Sequence, residues 1–495
     1  MEPIYYLIPL SIFLLFLTKS FFHRSKLPPG PSGFPILGSL LNLGARPHES
    51  LFHMARRHGP LMTLRLGFVT TVVASSPEAA KEVLGKHDKT FSDRLIPDVI
   101  MAQPNPESTL AWVPGDQAWR NRRRICTTQM FAAQPLDALQ HLRHEKVCQL
   151  IRHIEKKHSI SGTPVDIGQV AFATTLNLIS STLFSIDMVD PEFETAQEFK
   201  DVVWRIMEDA GKANLSDYFP VLRPFDLQGI KRHIKVSYLR LHDIFDDIIE
   251  KRLKGRAQQS ASATRNGDFL DVLLDQCQEE GSGFNRQTIK PLILDLFIAG
   301  SDTSALTTEW AMAELLRKPS VLQKARQELL DVIGTERQVQ ESDIHQLPYL
   351  QAIVKETMRL HPAVPLLLPY KAKTDAEVLG YVIPKGIQVL VNAWALGRDP
   401  DYWTEPTEFR PERFLGSNVD YKGRDYEYIP FGAGRRICPG LPLAVRMVHL
   451  MVASLVLSFN WRLPDGMLPE DLNMEEQFGV TLRKAAPLCA IPTLG

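Results

Sequence analysis

Cysteine is scarce in this chain. The five that occur, Cys126, Cys148, Cys277, Cys438 and Cys489, are odd in number, widely spaced and free of any C-x-x-C pair. That pattern excludes a disulfide framework, a zinc ribbon and a redox dithiol, and it fits a reducing compartment for the bulk of the chain. Four of the five read as small buried hydrophobes or ordinary surface residues. Charge imbalance is also missing, with 56 Lys and Arg against 57 Asp and Glu and a formal net charge of −1. No basic field draws the protein to nucleic acid, and no acidic tail is visible. Repeats are absent. The one low-complexity run, RAQQSASATRNGD at 256–268, is polar and short and reads as a surface loop between helices. Aromatic residues are few, at 8%, but 44% of the 495 residues are hydrophobic, enough to bury a large core.

One long apolar run does occur, at the start. Residues 4–22, IYYLIPLSIFLLFLTKSFF, are broken only by Ser11, Thr18, Lys19 and Ser20. As a helix this stretch extends roughly 28 Å, barely a bilayer. It lacks a basic start and an A-x-A cleavage site, which argues against a removed signal peptide. His23, Arg24 and Lys26 follow at once and place the large remainder on the cytoplasmic side. The prolines and glycines of LPPGPSGFPILGS cannot continue the helix. The reading is a signal-anchor helix over residues 1–22, a stiff hinge over 23–39 and a catalytic domain over 40–495. The competing reading of residues 4–22 is a buried N-terminal helix of a soluble fold.

Helical periodicity dominates the rest. The stretch 139–154 puts Leu142, Val147, Leu150, Ile151 and Ile154 along one face. Strand-like alternation is confined to short pieces, LMTLRLGFVTTVVAS (61–75) and YVIPKGIQVLVNA (381–393), the latter with a Pro-Lys-Gly turn. The predicted fold class is mainly α, with small β-sheets near the N-terminus and late in the chain.

The fifth cysteine stands in FGAGRRICPG (431–440), boxed in by three glycines, a proline and two arginines. Gly432, Gly434 and Gly440 allow close backbone approach and positive φ, so the loop can press its main chain against something flat. Pro439 removes a donor and stiffens the segment. Loop amides turned toward the sulfur stabilise a thiolate, as does a metal. No second cysteine or histidine lies at ligand spacing, the nearest histidine downstream being His449, so a locally built tetrahedral zinc site is excluded. A lone thiolate suits a haem iron, where it pushes electron density toward O–O cleavage. The bland alternative is a glycine-rich turn around a buried cysteine. The whole pattern, F-x-x-G-x-R-x-C-x-G, resembles the haem-binding signature of the cytochrome P450 superfamily. The resemblance implies haem b with Cys438 as axial iron ligand, Phe431, Gly432, Gly434 and Gly440 forming the loop against it, and Arg436 on a haem propionate.

Three further constellations agree with that family. LILDLFIAGSDTSALTTEWAMAEL (292–315) is apolar on all sides in its first half, then carries Gly300-Ser301-Asp302-Thr303 at its centre. One reading is a helix stop with a new N-cap at Ser301 or Asp302, although neither has Glu or Gln three residues on. The other is a single long helix opened at Gly300, with Thr303 back-bonding to its own turn. It resembles the superfamily's oxygen-binding motif, which implies Thr303 beside dioxygen and Asp302 as proton relay. Glu356 and Arg359, an i,i+3 pair on an otherwise apolar helix, with Arg413 of FRPERF, read as a buried network; the resemblance makes it structural. Trp119 and Arg123 are four apart on one helix side and match the family's propionate-binding pair, while Arg120, Arg122 and Arg124 read as a solvated face open to an acidic reductase. Tyr370 departs from the pattern, which has Arg or His there, and carries no positive charge toward the propionate.

The resemblance spans the chain and is nearest to plant microsomal A-type enzymes of the geraniol and nerol hydroxylase group. It implies a monooxygenase of the endoplasmic reticulum membrane, single-pass, with its domain in the cytoplasm. O2 would be a substrate, and electrons would come from NADPH through cytochrome P450 reductase, with cytochrome b5 as an optional donor. The substrate would be a hydrophobic plant metabolite such as geraniol or nerol. The same chemistry on a benzylisoquinoline alkaloid or a diterpene is the alternative; a reductase-independent isomerase or dehydratase, or a non-enzymatic haem sensor, is the reading from another class. Pocket segments implied are 95–115, 205–214, 294–299, 363–368 and 478–481, with Asn105, Asp295, Ala299, Val364, Leu368, Phe478 and Val480 as candidate contacts. Asp295 and Asn105 are the candidate polar anchors, and Asp295 stands out because an acid in an apolar stretch is costly unless paired.

Overall fold

A computed structural model describes residues 27–189, 196–258 and 267–494. The anchor expected over 1–22 and the first part of the hinge lie outside the described residues. The helices that build the site are α1 (Pro47–His58), α2 (Gln117–Gln129), α3 (Gln140–Ile154), α4 (Ile167–Phe184), α5 (Ala196–Gly211), α6 (Ile230–Gln258), α7 (Arg286–Arg317), α8 (Pro348–Leu360) and α9 (Leu441–Ser458). The strands that accompany them are β1 (Leu61–Leu66), β2 (Val69–Ala74), β3 (Asp93–Arg94), β4 (Tyr370–Lys371), β5 (Ala376–Val378), β6 (Tyr381–Ile383), β7 (Gln388–Val391), β8 (Glu476–Phe478) and β9 (Leu482–Lys484); a separate sheet is made by Val165–Asp166, Phe459–Arg462 and Cys489–Leu494.

Helix α7 is the axis of the molecule. Asn285 caps it, accepting from the Gln287 and Thr288 amides while the Thr288 hydroxyl accepts from the Asn285 amide. From there it runs unbroken for 32 residues, through the Gly-Ser-Asp-Thr stretch, so a new N-cap at Ser301 or Asp302 is excluded. The expected opening at Gly300 is not a break in the helix. Gly300 instead lets α4 approach: a Cβ there would stand 2.6 Å from Ile179 Cδ1. Helix α4 is buried nearly all round, and its Thr175 hydroxyl donates to the Ser301 carbonyl at 2.7 Å. Among the described residues α4 and α9 are long and apolar enough to cross a membrane, but both lie mostly inside the core.

The amphipathic reading of 139–154 matches α3, which buries Val147, Leu150 and Ile154. The alternation over 61–75 is a hairpin, β1 and β2 turning at Gly67 and Phe68, and it opens a five-stranded sheet of order β1-β2-β7-β4-β3. The second alternating piece divides. β6 pairs with β5, while β7 joins the large sheet parallel to β2, so the Pro-Lys-Gly turn separates two sheets instead of closing a hairpin. Of the run 256–268, the first three residues complete α6 and most of the remainder lies outside the described residues.

Candidate active site

The loop 431–440 is tied to itself before it meets anything else. The Cys438 amide donates to the Phe431 carbonyl at 3.0 Å, and the Ile437 amide to the Gly434 carbonyl at 3.2 Å. Gly432 and Gly434 hold φ of 71° and 66°, a region glycine enters freely. Gly434 also faces a wall, since a Cβ would lie 2.1 Å from the Leu84 carbonyl oxygen. Helix α9 starts directly after the loop, so the Gly440 and Leu441 amides point at the cysteine sulfur. Cys438 is exposed and lines a cavity. The surrounding protein desolvates its thiol and pushes it up, and the Gly440 amide, the Arg123 guanidinium and the Leu441 amide pull it back. Such a sulfur becomes a thiolate once a metal takes the proton's place.

The cavity holds about 320 Å³ and is walled mainly by apolar side chains from α4, α5, α7 and the loops before α2 and after α8. Ala299, Val364, Leu368 and Val480 line it as expected, and so do Asp295, Thr303 and the loop residues Phe431, Gly432 and Gly440. Asn105 and Phe478 do not. Asn105 sits in a turn of the loop before α2, where its left-handed backbone (φ 52°) precedes a short 3-10 turn. Phe478 stacks on the buried His48 at 5.5 Å. In both cases other residues of the segment line the cavity and this side chain does not. Gly434 lies behind the floor against Leu84, and Asp302 is turned away from the cavity, where its Oδ2 accepts from the Thr481 hydroxyl at 2.8 Å. Burial raises the Asp302 carboxyl to about 6 despite that bond. The Thr303 hydroxyl donates to the Ala299 carbonyl at 2.8 Å, the back-bond expected of it.

One edge of the cavity gathers three arginines: Arg94 from β3, Arg123 from α2 and Arg436 from the cysteine loop. Arg436 donates to the carbonyls of Ser92 (2.8 Å) and Val113 (2.5 Å), and its guanidinium lies 4.1 Å from the Trp119 ring. Arg123 donates to the Ile437 carbonyl at 2.5 Å. Arg94 donates to the Leu368 carbonyl at 2.6 Å, stacks 4.2 Å over Tyr370, and leaves its Nε buried without a partner. Trp119 supplies a shelf and a wall; its indole N–H donates to the Leu110 carbonyl at 3.1 Å. Among the described residues none of the three arginines has a carboxylate partner. Burial depresses all three, and for Arg436 the neighbouring Arg94 and Arg123 add to it, bringing it to about 9. Buried charge without a counter-charge is costly. The arrangement therefore fits a flat ligand that presents carboxylates to this edge and a metal to Cys438, which is the shape of haem b.

Comparison with known proteins agrees. The family profile for cytochrome P450 matches residues 28–488. The chain is 48% identical to a geraniol 8-hydroxylase of Catharanthus roseus, covering 97% of this chain and 98% of that protein. It is 47% identical to a geranylhydroquinone 3''-hydroxylase of Arnebia euchroma (97% and 96% covered) and 45% identical to a drimenol monooxygenase of Persicaria hydropiper (97% and 94%). The chain belongs to the cytochrome P450 family.

Two features of this P450 lie beyond what its sequence suggested. The first is Arg94. Tyr370 leaves the expected position without charge, and Arg94, on the neighbouring strand β3 and in register with Tyr370, stands against its ring. The signal that could have found it was the gap itself: a missing charge at 370 asks which strand neighbour carries one. The second is Arg122, read as solvated but in fact buried and donating to the Glu107 carbonyl at 3.2 Å. Behind the cavity, Glu356 is fully buried. Arg359 grips it with two bonds (2.7 and 2.8 Å), and the Arg413 Nε (2.9 Å) and Arg410 amide (2.7 Å) complete its shell. Oε1 accepts three of these bonds and Oε2 the fourth, which makes the network rigid.

Proposed function

We propose that this P450 is a monooxygenase, anchored in the endoplasmic reticulum membrane by residues 1–22, that hydroxylates a hydrophobic terpenoid of the acyclic monoterpenol class, such as geraniol or nerol. Electrons come from NADPH through cytochrome P450 reductase. Haem, bound through Cys438, supplies dioxygen activation and insertion of one oxygen atom. The protein supplies the rest. The Gly440 and Leu441 amides hold negative charge on the sulfur. Arg94, Arg123 and Arg436 hold the propionates, with Trp119 fixing the Arg436 plane. Thr303 lines the cavity, and Asp302, its carboxyl raised to about 6 and turned onto the Thr481 hydroxyl, relays protons toward the Thr303 side once its side chain rotates to the cavity. The apolar walls exclude water and orient the substrate by shape.

The observation that carries this reading is the trio of arginines, Arg94 and Arg436 buried and Arg123 half-buried, without carboxylate partners among the described residues, set on one edge of a cavity that a lone cysteine sulfur also lines. The choice of a terpenoid alcohol leans on the resemblance to the geraniol 8-hydroxylase and on the scarcity of charge elsewhere in the cavity wall. The test is a carbon monoxide difference spectrum of the reduced full-length protein, followed by product analysis with a plant reductase and NADPH. Geraniol, nerol, a diterpene phenol and a benzylisoquinoline form the panel. A thiolate-haem spectrum with oxidation of the monoterpenols supports the reading. The same spectrum with turnover of the alkaloid or diterpene alone contradicts the substrate class.

A further inference from the structure

The polar groups of the cavity fall into two sets. The arginines crowd the cysteine end. Across Leu110, whose carbonyl faces Trp119 and Arg436 while its amide meets Asp295, stand Asp295 on α7, Tyr238 on α6 and Gln103 in the loop before α2, three side chains from three elements. Asp295 lies eight residues before Thr303, about 12 Å along the helix.

Each of the three has a polar atom that the protein leaves open. Asp295 Oδ2 accepts the Leu110 amide at 2.5 Å and the Ala111 amide at 3.0 Å, tying the loop to α7. Its Oδ1 has no partner among the described residues. The Tyr238 side chain is buried and its hydroxyl likewise has none. Gln103 is 4% exposed, and its Oε1 is buried and unpaired. The groups are neighbours: the Asp295 charge adds to burial in raising the Tyr238 phenol, and the turn Asp98–Ala102 preceding Gln103 packs on α6. Of the three atoms Gln103 Oε1 is buried without a partner, and Asp295 Oδ1 and the Tyr238 hydroxyl stand at the same wall with no protein partner among the described residues; a bound polar group gives all three a partner.

We propose, resting on the monooxygenase reading above, that Asp295, Tyr238 and Gln103 form a hydroxyl-binding subsite. It holds the alcohol end of the substrate and so turns the opposite, hydrocarbon end toward Cys438. The phenol donates to the alcohol oxygen, and the alcohol donates to the carboxylate or the Gln103 amide oxygen. An alcohol fits better than an ammonium. Asp295 already shares its charge with two backbone amides and lies within the field of Arg122. Tyr238 and Gln103 are neutral. The subsite thus selects for a free hydroxyl at one end of an extended chain and directs oxidation to the other. Asp295 was singled out in the sequence for its cost in an apolar run; Tyr238 and Gln103 carried no such signal.

The test uses the full-length holoenzyme, with haem content of every variant fixed by its reduced carbon monoxide spectrum. Binding is read from the haem absorbance shift on titration with geraniol, its methyl ether and geranylamine. Wild type is expected to bind the alcohol about tenfold more tightly than the ether, the worth of one well-made buried hydrogen bond. Tyr238→Phe, and independently Gln103→Leu, should weaken the alcohol about three- to tenfold and the ether by less than about twofold. Product analysis should show oxidation spreading from the far end to further carbons. Equal binding of alcohol and ether by wild type, or equal weakening of both in the variants, would mean that water or packing satisfies these groups, and the proposal falls. Tighter binding of geranylamine than of geraniol overturns it in favour of a cation site. Monoterpenol turnover with either of these outcomes leaves the function above standing and removes only the subsite. An intact thiolate-haem that neither binds nor oxidises any terpenoid alcohol removes both.

Discussion

Tyr370 and Arg94 show how one residue's charge can be supplied by its strand partner. With the phenol ring at 4.2 Å, Arg94 gains a flat face to lie on while its Nε stays buried without a partner. Restoring the commoner arginine should therefore harm this protein. Tyr370→Arg would set a third buried guanidinium against Arg94 and Arg436, and like charges there repel at low dielectric. The expected result is lower haem retention than wild type in a dilution or apomyoglobin-capture assay, with Arg94→Leu, Tyr370→Arg recovering part of it; a gain in retention by Tyr370→Arg alone would contradict the account. Asp302 gives a second test at this scale. Its folded carboxyl is raised to about 6 by burial, against an ordinary value of 3.8. A raised acid favours the folded state below its ordinary pKa, and that advantage is lost as pH climbs through about 6. Asp302→Asn removes the titration, so at pH 7.5 the variant should be more stable than wild type by on the order of 2–3 kcal/mol, with the gap closing toward pH 4. Thermal unfolding across that range measures it, and a pH-independent gap would refute the assignment. Turnover by the same variant should fall.

Among elements, the cysteine loop and α7 differ in how much their glycines can tolerate. Gly434 has both a positive φ and a backbone carbonyl 2.1 Å from where a Cβ would stand, and a carbonyl cannot rotate aside as a side chain can. Gly432 has the φ but only the Leu367 side chain at 3.7 Å. Gly434→Ala should accordingly abolish holoprotein accumulation, while Gly432→Ala costs about 1 kcal/mol of stability and keeps the thiolate-haem spectrum. Equal behaviour of the two would argue that the loop is not pinned against Leu84. The same contrast explains what the sequence disclosed. The loop, the Glu356–Arg359–Arg413 network and the mid-helix Asp302-Thr303 pair are read within a few residues of one another or from complete motifs, so they were legible. Asn105 and Phe478 lie in a loop and at a hairpin tip, where the backbone path decides which way a side chain faces, and no periodicity reports that. The bond from Thr481 to Asp302 joins residues 179 apart in sequence, and nothing local announces it. The split of 381–393 between two sheets has the same cause: alternation reveals a strand, not its partner.

At the scale of the whole molecule, the C-terminal hairpin β8–β9 is locked to the N-terminal helix α1 by one buried acid. Glu476 accepts from the Trp394 indole at 3.2 Å and contacts His48 at 3.0 Å and His361 at 3.3 Å; His361 in turn meets Glu314 of α7 at 2.8 Å. Burial alone would raise Glu476, but the two histidines and Arg398 outweigh it and hold the carboxyl well below the usual range. A depressed acid contributes stability that is present above its ordinary pKa and lost as pH falls below it. Glu476→Gln should destabilise the neutral-pH protein by about 3 kcal/mol, less in acid, and should loosen the turn that carries Val480 to the cavity. Calorimetry at two pH values tests the first part, and an unchanged melting temperature at neutral pH would contradict it. The fold as a class, mainly helical with small sheets, was legible from periodicity, while its family came from motifs whose spacing only the folded chain makes sense of: Cys438 and Arg94 lie 344 residues apart in sequence yet meet at one cavity.

The central claim, that this cavity inserts one atom of dioxygen into a terpenoid alcohol, is tested most directly with isotope-labelled dioxygen, geraniol, a plant reductase and NADPH. The account predicts a product carrying one labelled oxygen atom, with the original hydroxyl unlabelled and no product when reductase or Cys438 (as Cys438→Ser) is removed. Product formed without reductase, or product free of label from a protein with an intact thiolate-haem spectrum, would contradict it.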